Sequence, residues 1–199
     1  RQMCIRDSLT FDETDVDAQG VRLQMNPPIR YAQDREILWK RLVDGTIQCI
    51  ATDHAPHTLE AKSLGFPQAP SGMPGVETSL PVMLNYVNEG RCSLEDVVLW
   101  MSTNVADCYR MIGKGKLEEG YDGDIVLVDM NHCAVVEDEN SWTRVGWNPF
   151  RGRELTGWPV LTVVEGVPVF ERSEGTGQKG RLLVEPGAVG KPLLLSLIH

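Results

Sequence analysis

The feature that most constrains this chain is an apolar run that stops abruptly in chemistry-bearing residues. Ile47 to Ala51 is followed by Thr52-Asp53-His54-Ala55-Pro56-His57-Thr58. The apolar run reads as a short strand buried on both faces, the kind used by parallel sheets. A carboxylate and two imidazoles follow at once. In a parallel α/β barrel, chemistry sits where strands end and loops begin. A carboxylate at such a point binds a metal or moves a proton. A polar turn explains the same residues, because such residues are common in turns.

The surrounding pattern supports a parallel sheet. Phe11 to Gly20 is acidic and polar and reads as a loop. Val21 to Met25 alternates apolar and polar residues, which predicts a strand stopped by Pro27-Pro28. Ile37, Leu38, Leu42 and Val43 mark an amphipathic helix over 33–42, closed by Asp44-Gly45. Strand, helix and strand joined by short links make a βαβ unit. His57 to Pro74 is a long Gly- and Pro-rich loop, and such loops are often lids or binding loops. A helix is predicted over 76–88, with Leu80, Met83, Leu84 and Val87 on one face. Ser93 caps a second helix over 94–102, with Asp96 completing a capping box, and a third helix runs from Val105 to Met111. After Gly115 the period changes. Ile125 to Asp129 reads as a strand, and 159–164 with 167–170 read as a hairpin around Glu165-Gly166.

Composition narrows the classes of partner. The 199 residues carry a net charge of -9 and no dense basic cluster, which argues against a nucleic-acid or phosphate-binding surface. No apolar run reaches the roughly 18 residues of a membrane span, and no signal peptide is recognisable. Cys4, Cys49, Cys92, Cys108 and Cys133 are widely spaced and odd in number. They are expected to be reduced, buried thiols of a cytoplasmic protein.

Three blocks stand in order: Met25-Asn26-Pro27-Pro28-Ile29-Arg30, then Asp53-His54-Ala55-Pro56-His57, then Ala69-Pro70-Ser71-Gly72-Met73-Pro74-Gly75-Val76-Glu77-Thr78. Their order and spacing resemble the dihydroorotases of the amidohydrolase superfamily. The resemblance continues through Gly90-Arg91-Cys92-Ser93-Leu94, the 118–124 segment and Leu155-Thr156-Gly157-Trp158-Pro159-Val160. It covers roughly residues 21–180.

The resemblance implies an α/β fold. Residues 11–113 would be the C-terminal portion of a (β/α)8 TIM barrel, its last two strands and their helices. Residues 114–185 would be a small β-sandwich-like domain. Residues 1–10 and the tail 186–199, with its apolar Leu193 to Ile198, fall outside the resemblance and are expected to be non-native.

The implied activity is metal-dependent, reversible hydrolysis of the cyclic amide of dihydroorotate to N-carbamoyl-aspartate, in de novo pyrimidine synthesis. Amides are poor electrophiles, so a two-metal site with a bridging hydroxide suits the reaction. By resemblance the metal is zinc, and Asp53 is both a metal ligand and the catalytic proton carrier. Asn26 and His57 would bind substrate, and Ser71-Gly72 would line its site through the backbone. Many relatives carry an aromatic residue where Ser71 stands, which leaves the backbone role intact. His54 is expected to orient the loop, and Glu77 to begin the following helix.

The family's remaining ligands, a His-x-His pair and others, precede the Asn-Pro-Pro block. The four histidines here are His54, His57, His132 and His199, all after Asn26. A barrel needs about 250 residues. The chain therefore reads as a C-terminal fragment, inactive alone, whose full-length form would be a homo-oligomer or a partner of another pyrimidine enzyme. A hydantoinase or allantoinase, or a non-catalytic dihydroorotase-like protein, are the alternatives.

Overall fold

The computed structural model describes residues 3–173, 179–185 and 187–190, with backbone only for residues 3–6. The apolar tail and most of the Gly-rich 175–180 stretch lie outside the described residues. The chain divides into two compact units, one of residues 1–79 with 135–153, the other of 80–134 with 154–199.

The first unit is built on a parallel pair. Strand β1 (Met3–Ile5) pairs in parallel with β2 (Cys49–Ala51), Cys4 standing opposite Ile50. Between them run helices α1 (Arg6–Thr10), α2 (Glu13–Gln19) and α3 (Ala32–Val43). Leu9, Phe11, Leu23, Trp39, Leu42, Cys49 and Ile50 are buried. The Trp39 indole N–H donates to the Leu9 carbonyl at 2.9 Å, joining α3 to α1.

The βαβ unit is thus present, but its first strand is Met3–Ile5 rather than 21–25. Gly20–Leu23 instead form a 3-10 turn that buries Leu23. A five-residue alternation is satisfied equally by a tight turn that points every other residue inward, so the pattern misleads at this length.

The acidic segment read as a loop is largely α2. Its acids are the reason. Asp12 Oδ1 accepts from the Thr14 N–H at 3.0 Å, and Asp15 Oδ2 accepts from the Asp12 N–H at 3.1 Å. Capping carboxylates in the first turn favour a helix through the donors and the dipole. Bonds from the Thr14 hydroxyl, at 2.6 Å, and from Arg35 further lower the Asp12 pKa below the ordinary aspartate value.

The long loop contains a short helix, α4 (Leu59–Lys62), capped by Thr58, whose hydroxyl accepts from the Ala61 N–H at 3.2 Å. Helix α5 (Val76–Asn88) follows. Ser93 and Asp96 form the predicted capping box at α6 (Leu94–Val98). One π-turn, Leu99–Thr103, fuses α6 to α7 (Asn104–Tyr109), so the two predicted helices run on as one irregular rod.

Strands β3 (Ile125–Val135), β4 (Glu154–Val164), β5 (Val167–Glu171) and β6 (Arg181–Leu182) form a four-stranded sheet in that order. The predicted hairpin is β4–β5, antiparallel, with a register shift between Thr162 and Val163. The thiols depart from expectation: Cys49 is buried, Cys92 and Cys108 are half-buried, and Cys133 is exposed. None of these four is in a disulfide. Among the described residues no helix is long and apolar enough to cross a membrane.

Candidate active site

Strand β2 ends at Ala51, and Asp53 follows with a φ of 46°, outside the range of regular strand or helix. That turn leaves the Asp53 side chain exposed at the carboxyl end of the strand. The chain then runs alongside a second segment. His54 and Met73 form a parallel bridge, and the Ala55 N–H donates to the Met73 carbonyl at 3.1 Å. Met73 is fully buried and anchors this contact.

His54 is exposed but tied to backbone. Its Nδ1 accepts from the Gly75 N–H at 2.9 Å and the Val76 N–H at 3.3 Å, which satisfies backbone donors at the start of α5. This is the loop-orienting role expected of it. Glu77 does more than begin the helix. Its carboxylate accepts from the Trp142 N–H at 2.8 Å and the Ser141 hydroxyl at 3.1 Å, tying a distant loop to the same helix start.

His57 is held from two sides. Its Nε2 lies 3.0 Å from the Ser71 carbonyl oxygen. A carbonyl only accepts, so Nε2 carries the proton and donates it. The indole N–H of Trp147, a fully buried residue, donates to the His57 carbonyl at 2.8 Å.

Gly72 has a φ of 126°, and a Cβ there would come within 2.6 Å of the Ala55 oxygen and 2.8 Å of its Cβ. Only glycine fits so close an approach at such a backbone angle. The Gly72 N–H donates to the Gln24 carbonyl at 2.9 Å. The Gln24 side-chain amide donates to the Ala69 carbonyl at 2.7 Å. Asn26 lies two residues past Gln24, with its side chain exposed.

Lys62 completes the arrangement. It is 1% exposed, and its Nζ donates to the Pro70 carbonyl at 2.9 Å and the Gln24 carbonyl at 3.3 Å. Burial pushes its pKa down to about 8.

The structure therefore brings His57, Ser71, Gly72 and the segment leading to Asn26 together through hydrogen bonds. Among the described residues, no hydrogen bond joins the side chain of Asp53 or of Asn26 to that group. Two backbone groups predicted to face substrate are engaged internally, namely Gly72 N–H and Ser71 C=O. Lys62, Gln24 and Trp147 escaped the sequence reading. Their partners lie 8 to 90 positions away, and no local pattern announces them.

A carboxylate thus stands exposed just past the carboxyl end of a parallel strand, the place where α/β folds put their chemistry. The chain belongs to the amidohydrolase family, whose model matches residues 4–169. It is 39% identical to a dihydroorotase of Anoxybacillus flavithermus over 169 residues, covering 84% of this chain and 39% of that protein. It is 38% identical to one of Halobacterium salinarum over 173 residues, covering 87% and 41%. Among solved structures, the L-hydantoinase (dihydropyrimidinase) of Arthrobacter aurescens superposes with a TM-score of 0.84 and 34% identity, over 92% of this chain and 40% of that one. A D-hydantoinase (dihydropyrimidinase) from Thermus sp. gives a TM-score of 0.79 at 25% identity, over 84% and 38%. The chain spans about two fifths of the length of the curated relatives it matches.

Proposed function

We propose that this chain is the C-terminal portion of a dihydroorotase, which reversibly hydrolyses the cyclic amide of dihydroorotate to N-carbamoyl-aspartate in pyrimidine synthesis. The observation that carries the reading is the exposed Asp53 carboxylate at the carboxyl end of β2, alongside the loop that joins His57 to Ser71-Gly72. In this reading β1 and β2 belong to a (β/α)8 barrel, whose last part runs from β1 to residue 113 and so starts earlier than the residue 11 expected from the resemblance. The strands after residue 114 belong to a small β-sandwich-like domain, and the tail 186–199 is a non-native addition. The protein works in the cytoplasm, as a homo-oligomer or beside another pyrimidine enzyme.

Hydrolysis adds water to the ring carbonyl and breaks the carbon–nitrogen bond. Asp53 takes the proton of the attacking water and delivers it to the departing ring nitrogen, so one carboxylate serves both halves of the reaction. Asn26 offers an amide to the polar ring edge. His57 keeps Nδ1 for substrate, since Nε2 is engaged with Ser71. At the Ser71-Gly72 step the groups left for substrate are the Ser71 N–H and the Gly72 carbonyl.

The reading also expects two zinc ions in the full-length enzyme, with Asp53 as one ligand. Among the described residues no three His, Cys, Asp or Glu side chains cluster to hold a metal. Asp53 alone does not fit a metal centre, which usually takes three protein ligands. The other ligands would come from outside this chain.

The superposition on hydantoinases favours one alternative, a related cyclic amidase acting on hydantoins or allantoin. Steady-state assay of the full-length protein on dihydroorotate, hydantoins and allantoin separates them. Highest kcat/KM on dihydroorotate is expected, and a preference for either other substrate overturns the proposal. A full-length protein inactive on all three would point to a non-catalytic relative.

A further inference from the structure

We propose that Lys62 is a positioning residue for substrate binding, a buried clamp that holds the segment before Asn26 and the Ser71-Gly72 loop in one fixed arrangement. The inference rests on the proposed cyclic-amide hydrolase reading and deepens it.

The carbonyl of Gln24 is the hub. It accepts from the Gly72 N–H at 2.9 Å and from Lys62 Nζ at 3.3 Å. The same Nζ donates to the Pro70 carbonyl at 2.9 Å, one residue before Ser71. The Gln24 side-chain amide binds the Ala69 carbonyl. Four consecutive residues, 69–72, thus include three that bond to Gln24 or Lys62. Asn26 lies two residues beyond Gln24. Ser71, between two clamped neighbours, accepts from His57.

The chemistry of the side chain explains why a lysine stands there. Its four-carbon stem is buried and carries several N–H donors to the far end. Burying such a group is costly unless its donors are used. Among the described residues no carboxylate pairs with Lys62, so backbone carbonyls do the work. A lysine retained only for charge would face an acid. A lysine that faces two carbonyls from separate segments sets the distance between them. Either protonation state still carries the two N–H groups the clamp uses.

Lys62 makes no hydrogen bond to Asp53, which follows β2 outside the clamp. Loss of the clamp therefore loosens substrate contacts without disturbing the proton carrier. The test is Lys62→Met in the full-length protein. KM for dihydroorotate is expected to rise about tenfold with kcat within about twofold, the size of a lost bond to a charged donor. Amide hydrogen exchange at Gly72 is expected to quicken about tenfold. Lys62→Gln, which keeps N–H donors on a shorter stem, should move both readouts less in the same direction, and it serves if the Met variant does not fold. Unchanged KM and unchanged Gly72 exchange in a folded variant overturn the proposal. So does a fall in kcat with KM unchanged. Failure of both variants to fold also overturns it, in favour of a lysine needed only for the fold. If the wild-type protein does not turn over dihydroorotate, the functional reading fails by itself. The exchange measurement then still decides the role of Lys62.

Discussion

The loop cluster around β2 and the four-stranded sheet are held together in opposite ways. In the sheet, β4 and β5 pair along a ladder from Leu161–Glu171 to Val164–Val167, repeated except at one register shift between Thr162 and Val163. In the loop cluster no bond repeats. His57 to Ser71, Gly72 to Gln24, Lys62 to Pro70 and Trp147 to His57 join residues 8 to 90 positions apart, each in a different way. A ladder spreads the loss of one bond over its neighbours. A set of unlike single bonds does not, so a deletion there moves a particular functional atom. The site region should therefore respond to mutation in binding and turnover, and the sheet in stability alone.

The sharpest break should come at Asp53. In the full-length protein, Asp53→Asn is expected to lower kcat by about 10²–10⁴, since the amide cannot take a proton at neutral pH. An unchanged thermal unfolding midpoint would accompany it, because the exposed side chain bonds no described neighbour. Near-wild-type turnover would remove Asp53 from the chemistry.

Lys62 offers the next largest effect, read as stability against pH. Below about pH 8 it is charged in both folded and unfolded chains, and the cost of burying the charge is fully present. Between about 8 and 10.5 the folded form has lost a proton that the unfolded chain keeps, so stability rises with pH. Relative to Lys62→Met, the wild type should gain roughly 3 kcal/mol across that window, at about 1.4 kcal/mol per pH unit. Urea unfolding of both proteins at a series of pH values measures it.

A matched pair of glycines compares the two regions directly. Gly72 and Gly157 both have positive φ, and at each a Cβ would approach a neighbour within 2.6 Å, the Ala55 oxygen and the Leu84 Cβ respectively. Alanine at either position should cost about 2 kcal/mol of stability through backbone strain and overlap. Only Gly72→Ala should also raise KM. An equal rise with Gly157→Ala would show that the sheet region shapes the site too.

His57→Ala should raise KM about tenfold, as expected for one lost bond to a charged substrate. Part of the loss should be loosening of the Ser71 carbonyl it now holds. Isothermal titration with substrate against the wild type tests this.

The smallest effect is expected at Lys114 in the second unit. Its Nζ contacts Asp122 at 2.9 Å and also bonds Asp124. These bonds raise the Lys114 pKa, and the Lys114 bond, together with the Glu165 N–H, lowers that of Asp124. The Asp124 contribution is present above the ordinary aspartate pKa and fades as pH falls through its lowered value. The Lys114 contribution is present below the ordinary lysine pKa and fades as pH rises through its raised one, the reverse of Lys62. All three groups are partly exposed, so solvent screens the pair, and Lys114→Met should cost under about 1 kcal/mol with no change in turnover.

Residue order by itself determined several of the regular elements. Helices α3 and α5, the Ser93–Asp96 cap and the β4–β5 hairpin follow from periodicity and capping chemistry within a few positions. Local pattern marked the stretch around Asp53 at a strand end, whereas Asn26, His57 and Ser71-Gly72 joined it through the resemblance of three sequence blocks to the dihydroorotases. The tertiary structure decided what pairs with what. It made β1, not residues 21–25, the partner of β2, because five alternating residues fit a buried turn as well as a strand. It turned the acids of α2 into caps. It also engaged the Gly72 N–H with Gln24 and the Ser71 carbonyl with His57, and buried Lys62 between two segments. Such bonds depend on where distant backbone carbonyls come to rest, and every residue carries a carbonyl. Nothing in the identity of residue 24 or 70 announces which one a lysine at position 62 will meet.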